Sequence, residues 1–405
     1  MATDTRTLSR TAEIRAVARQ DVPRAQTMLE TFIADLFDIP VTGLRINQDQ
    51  YSLNSLNGFF TSGADAFFFK FHQEDGEEEM TGEYYRRRSD PRFSDVLFDL
   101  DQTPDATATA RARAAETELN TRILSVAQKT LHPITPQEAA AEPIHRLFYE
   151  RLIDLPGGHY PGGRLAKFYV GKQFAFPNDV ALHWDQIADA PVRINGLAYE
   201  GTLRQAFDTA LVRYAPENTA TAGGIVAHGD AHNANVWYER GTAQDRLAFF
   251  DPAFAGNKVP ALLAEVKSTF HNIFAHPFWL YNPDMAAERY QARVTLDDGV
   301  LSFDTDWQPG PARRALLEAK AETFWKPWLA HLRDAGLLPQ DWEQILRTGL
   351  FLSPTLVMNL NAGEGGDRHN PISSAIGLSV ALSAASSPVT GEDIFTRFFD
   401  AVRPE

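Results

Sequence analysis

Apolar residues recur along most of this chain at helical spacing, and the pattern gives way to strand-like runs in two main places. Residues 8–38 carry the first helical period, with Ile14, Val17, Val22, Ala25, Met28, Leu29, Phe32, Ile33 and Leu36 on it and Pro23 placed to split it in two. From residue 41 the pattern changes. Residues 41–46 are strand-like, and YSLNSLNGFF at 51–60 joins AFFFKF at 66–71 across a Thr-Ser-Gly-Ala-Asp turn. Residues 99–110 have the composition of a surface loop, and 111–131 predict an amphipathic helix with Leu119, Ile123, Leu124, Ala127 and Leu131 on one face. Thr135 is placed to cap a helix starting at Pro136. Leu203, Ala206, Phe207, Ala210, Leu211 and Tyr214 predict a helix over 202–214. The C-terminal part predicts helices at 312–335, 341–350, 372–385 and 392–402. A short hairpin, 292–295 with 300–303, precedes them and turns at Asp297-Asp298-Gly299.

The second break, at 223–251, is the most informative stretch: GGIVAHGDAHNANVWYERGTAQDRLAFFD. It predicts strand, polar loop, strand, turn and strand. Asp230 and Asn235 stand five residues apart on the loop, and Asp251 closes the hairpin that follows. These residue types suit phosphoryl transfer to a hydroxyl. A carboxylate orients the acceptor oxygen and takes its proton, while hard oxygen donors hold a metal ion that neutralises phosphate charge. Two other readings fit the same letters. His228, Asp230 and His232 alternate as half of a metal-hydrolase site that His271 and His276 would complete, or the loop is a polar turn around a buried histidine.

HGDAHNAN resembles the catalytic loop of the aminoglycoside phosphotransferase and choline kinase group, a branch of the protein-kinase-like superfamily, and Asp251 falls where that group carries its metal-binding Asp. The resemblance implies an α+β, two-lobed, protein-kinase-like fold. Its expected parts are a helical extension at 1–40, a small β-rich nucleotide-binding lobe at 41–95 and a large, mostly helical lobe at 96–405. ATP and Mg²⁺ are the implied cofactors, with Asp230 as base, Asn235 and Asp251 as metal ligands, and His228 bonded to nearby backbone. Lys70, inside an aromatic strand, would grip the phosphates and pair with a Glu on a helix at 77–88, with Glu83 the first choice. The loop at 52–58, with Ser55 and Asn57, would lie over the phosphates. The chain departs from the family where a further hairpin should follow that helix, so the expected small lobe is truncated, or its strands come later, near 164–170 and 174–176. Trp279, Tyr281, Trp307, Trp325 and Trp328 are either walls of the acceptor site or core.

Composition narrows the partners. With 53 acidic against 38 basic residues the formal charge is −15, a field that repels nucleic acid and anionic lipid and favours a cationic small-molecule substrate. Cysteine is absent, which removes disulfides and thiolate metal sites. No apolar leader opens the sequence and no run is long enough to span a bilayer, so a cytoplasmic enzyme is expected. Packing or homodimerisation is the expected role of the first helices. A nucleotide-binding regulatory protein that has lost catalysis is the other function the shortened small lobe suggests.

Overall fold

The computed structural model describes residues 13–14, 16–18, 20–47, 55–72, 81–86, 91–276 and 278–405. The chain is an α+β protein with its strands in small sheets, and it divides into two compact units, Met1–Asp90 and Pro91–Glu405. The expected helical extension is therefore not separate: its helix shares a core with the first sheet, and the boundary falls after Asp90.

In the first unit the helical period breaks where Pro23 is placed to split it: 13–14 and 16–18 are helical, the chain turns at 20–21, and a second helix begins with Pro23 in its first turn. The helix Val22–Phe37 is capped by Asp21, whose carboxylate accepts from the Arg24 N–H at 3.1 Å, and proline in the first turn removes an N–H that has no helical acceptor. Ala25, Leu29, Phe32 and Ile33 form one buried stripe packed with Leu44, Leu56, Phe60 and Phe69. Those partners come from a four-stranded antiparallel sheet, β1 (Thr42–Ile46), β2 (Ser55–Ser62), β3 (Asp65–His72) and β4 (Thr81–Arg86), in that spatial order. Each large side chain buried there contributes about 1.5–3 kcal/mol, which fixes the helix on the sheet.

Two expectations change here. Ser55 and Asn57 lie in strand β2, not in a loop, and residues 52–54 are outside the described residues. Gly58 serves strand packing: a Cβ on it would stand 1.9 Å from the Arg45 carbonyl oxygen of β1. Asn57 is buried and its Oδ1 accepts from Asn47 Nδ2 at 2.9 Å. The helix expected to carry Glu83 is instead strand β4, consistent with the β-preference of Thr81, Tyr84 and Tyr85. In the β3–β4 register Lys70 and Glu83 are Cα partners, and Lys70 is also opposite Asn57 of β2.

The second unit carries most of the helices. The expected loop at 99–110 is largely helical: Phe93–Gln102 is followed by Ala106–Thr130, which starts where the Asp105 carboxylate accepts from the Ala108 N–H at 2.7 Å. Thr135 and Glu138 form a capping box on the short helix Pro136–Ala140, and Thr202 with Gln205 form another on Leu203–Arg213. Of the residues proposed as late small-lobe strands, 174–176 do form a strand and 164–168 do not. Gly163–Phe168 is helical, and Gln173–Phe176 pairs with Val180–His183. The hairpin Ala292–Asp297 with Val300–Thr305 forms as expected, and Val192–Ile194 joins it in parallel. Pro371–Ala385 is apolar nearly all round and buried from Ser373 onward, as such a helix must be. Among the described residues no helix is long and apolar enough to cross a membrane. Trp279, Trp325 and Trp328 are core, with Trp307 and Tyr281 almost as deeply buried.

The functional stretch is framed by two strand pairs. Gly224–Ala227 pairs with Gly256–Pro260, and Val236–Glu239 with Arg246–Phe249. The second hairpin is pinned to the helix Ala106–Thr130 through Asp245, which is buried. Its carboxylate accepts from Arg111 Nε at 2.8 Å, Tyr238 Oη at 2.5 Å and the Gly241 N–H at 3.1 Å. The Arg111 bond, with Tyr238 and Gly241 behind it, outweighs burial and holds the Asp245 carboxyl down at about 2.

Asp245→Ala leaves the Tyr238 hydroxyl and the Gly241 N–H without their acceptor, and is expected to cost about 1–3 kcal/mol in urea unfolding at neutral pH. Because the folded value lies below the unfolded one, this stability is complete above about pH 4 and is lost as the pH falls toward 2. The wild-type advantage over Asp245→Ala should therefore shrink across that window. A gap that is constant from pH 6 to pH 2 would contradict the assignment.

Candidate active site

The loop between the two strand pairs is drawn tight by one imidazole. His228 Nε2 donates to the Phe250 carbonyl at 2.9 Å, and its Nδ1 accepts from the Asp230 N–H at 3.4 Å. The two partners fix the tautomer with the proton on Nε2. Between them Gly229 has φ of 76°, and a Cβ there would meet the Phe254 carbonyl oxygen at 2.2 Å. Only glycine fits that crossing. The expectation that His228 bonds backbone is what the structure has.

Asn235 is held from both sides. Its backbone carbonyl accepts from the Phe250 N–H at 3.0 Å, and its side-chain Nδ2 donates to the Asp230 carbonyl at 3.0 Å. That donation directs the amide nitrogen to Asp230 and leaves Oδ1 as the acceptor. Asp251 follows Phe250 directly, is buried, and has φ of 62°, a left-handed conformation uncommon outside glycine and asparagine-like residues. Phe250 thus accepts from His228 at its carbonyl and donates its N–H to Asn235, and the next residue is Asp251. The three sequence-chosen groups of this loop, Asp230, Asn235 and Asp251, are brought together by that stitching. Asn235 and Asp251 supply hard oxygen donors, which fit Mg²⁺.

Lys267 is the residue the motif did not disclose. It sits on the helical turn Val266–Thr269, buried, with Nζ 2.7 Å from Asp230 Oδ1. Burial on its own would raise the Asp230 carboxyl, but the Lys267 ammonium, followed by His232, holds it well below the usual carboxylate range. His232 Nε2 is 3.8 Å from the same oxygen. A signal for Lys267 exists in the sequence: Glu265 and Lys267 interrupt the apolar run Ala261-Leu-Leu-Ala264 to Phe270, and charges in a buried turn must be paired. Glu265 is paired too, its Oε2 accepting from Lys320 Nζ at 2.8 Å and Ser268 Oγ at 2.8 Å.

Behind Lys267 the chain runs into a π-helical turn, Phe270–Phe274. His271 Nδ1 and Tyr281 Oη are 2.5 Å apart, and the His276 ring lies 5.0 Å from that of Tyr281. Burial, followed by the Lys267 charge, pushes the His271 pKa well below its usual value. Tyr281, weighed as either wall or core, is committed to this histidine. The loop itself is anchored at depth. Asn233 N donates to Asn272 Oδ1 at 2.7 Å, Arg313 Nη1 donates to the Asn272 carbonyl at 2.6 Å, and Arg313 Nη2 binds Asp101 at 2.7 Å with both side chains fully buried.

The hydrolase alternative loses its first ligand, because both His228 nitrogens are taken by backbone. Among the described residues no three His, Cys, Asp or Glu side chains converge as a metal group. Lys70, Glu83, Ser55 and Asn57 all belong to the first unit.

No protein-family model matches the chain, and no curated protein is significantly similar to it.

His228→Ala removes the donor to the Phe250 carbonyl. Thermal or urea unfolding should show a loss of about 1–3 kcal/mol. An unchanged midpoint would show that the loop does not depend on this clasp.

Proposed function

We propose that the protein is an ATP- and Mg²⁺-dependent phosphotransferase that acts on a hydroxyl of a small molecule, with a two-lobed, kinase-like fold. The observation that carries this is the stitched loop: Asp230, Asn235 and Asp251 share one hydrogen-bonded frame centred on Phe250. Asp230 would orient the acceptor hydroxyl and receive its proton. The low basicity that Lys267 imposes suits a loose transition state, in which the hydroxyl proton leaves late and catalysis is mainly positioning and charge stabilisation. Asn235 Oδ1 and the Asp251 carboxylate would hold the metal, which when bound neutralises charge on the nucleotide phosphates.

Lys70 and Glu83 are assigned to the phosphate clamp. They occupy directly opposed positions on neighbouring strands, so their placement across from each other does not require a helix. Asn57, opposite Lys70 in the other direction, and Ser55, two positions before it on β2, are assigned to the same clamp.

A second reading rests on the same unit: nucleotide binding without transfer. Strand β4 stands where the helix bearing the clamp glutamate was expected, and this alteration could leave binding intact while abolishing turnover.

Calorimetric titration of Mg·ATP tests the first reading. Wild type should bind, and Asp251→Ala should weaken binding at least about tenfold, a difference of about 1.4 kcal/mol. Wild type that does not bind Mg·ATP defeats both readings. Binding with no ADP formation under any acceptor favours the second.

A further inference from the structure

A cavity of about 330 Å³ lies beside the catalytic loop, within the second unit. Its apolar wall is built from Leu119, Ile123 and Val126 of the helix Ala106–Thr130, Ile225 and Val226 of the strand Gly224–Ala227, and Phe249. Asp230, Asn235 and Asp251 lie outside its lining, so a ligand held there is independent of the phosphotransferase reading. A cavity of about 150 Å³ accepts a benzene ring. This one therefore has room for a single ring or a branched chain together with a short polar head. Val126, Val226 and Phe249 are exposed to solvent, and an apolar ligand would take that surface out of water.

Three polar residues also line the cavity, and two of them are committed elsewhere. Both ring nitrogens of His228 are bonded to backbone. Arg122 binds Glu118 Oε1 through Nε at 2.9 Å and donates from Nη2 to the Leu247 carbonyl at 2.6 Å. The third is Glu265, which is 2% exposed. Its Oε2 accepts from Lys320 and Ser268, while Oε1 has no hydrogen-bond partner among the described residues.

Glu265 belongs to a cluster that is short of positive charge. Lys320 Nζ donates to Asn120 Oδ1 at 3.0 Å as well as to Glu265. Glu116, one helical turn before Asn120, is a second buried carboxyl, and its Oε2 and the Asn120 Nδ2 are buried without a partner among the described residues. Burial raises the Glu116 pKa; the Lys320 charge opposes that shift and the Glu265 charge adds to it. Two carboxyls thus share one ammonium where buried charges have to be matched. An anionic ligand head would meet Glu265 with its one ammonium already taken, and a wholly apolar ligand would leave Oε1 unbonded.

We propose that this cavity binds a small primary amine with an apolar body, its ammonium donating to Glu265 Oε1 and its ring or branched chain filling the space between the helix and the strand. The ammonium supplies the positive charge that the Glu116, Glu265 and Lys320 cluster lacks. The body covers Val126, Val226 and Phe249.

Phenethylamine, phenethyl alcohol and hydrocinnamate carry one ring on the same short chain, with a positive, a neutral and a negative end. Calorimetric titration of each into the full chain at neutral pH should show the amine bound at least about tenfold more tightly than the other two. Val126→Trp places an indole in the cavity and should abolish amine binding. Glu116→Gln keeps the shape of the side chain, removes one carboxyl and leaves Lys320 its Glu265 partner. It should weaken the amine at least about tenfold without changing the response to the alcohol. Thermal melts establish that each variant is folded, and the ligand series with wild type and Val126→Trp decides the matter even if Glu116→Gln does not fold. The proposal is overturned if the amine does not bind wild type, or if the alcohol or the acid binds as tightly. It is overturned equally if Val126→Trp or folded Glu116→Gln binds the amine as wild type does.

Discussion

His228 is bonded at both ring nitrogens, to the Phe250 carbonyl and the Asp230 N–H, and the positions of three functional groups follow from those two bonds. Neutral imidazole is suited to this because it donates and accepts at once, in one plane, from a ring too rigid to drift. The clasp forces the chain past Phe254 closely enough that position 229 must be glycine. It also sets Phe250 where Asn235 can reach its N–H. The order HGD…N…D is therefore a geometric statement as much as a chemical one.

Around this clasp the molecule places its charges in pairs. Arg313 with Asp101, Lys320 with Glu265 and Lys267 with Asp230 are all nearly or fully buried. Such pairs add little net stability against an apolar alternative, but each is costly to break on one side. The first two tie helices to the turn that carries Lys267. The third is at the loop itself.

Much of this was legible in the sequence. The strand–loop–strand around Asp230 was visible because apolar runs bracket a polar octet, and the helix Leu203–Arg213 because its apolar period is regular and its cap is Thr202. The contact of Lys267 with Asp230 was not, since the two lie 37 positions apart in the chain, and no local spacing encodes a contact of that range. Residues 81–86 were assigned to a helix through expectation of the fold, although Thr81, Tyr84 and Tyr85 carry the opposite local preference. Residues 99–110 misled in the other direction: their Thr and Asp content resembles a loop, but alanines and the Asp105 cap favour helix. Gly58 looked like part of a phosphate loop because a glycine on its own does not say whether a ligand or a neighbouring strand comes close.

The anchoring of the second hairpin has a bearing on how this protein can be modified. Asp245 binds both Arg111 on the long helix and the Gly241 N–H, so the root of the turn is fixed while residues 242–244 face solvent. Changes of length there stop at Gly241 and Asp245 and are not transmitted along the strands to Asn235 or Asp251. Those three positions are a place to graft a peptide tag or an environment-sensitive dye that would report on the loop from outside it.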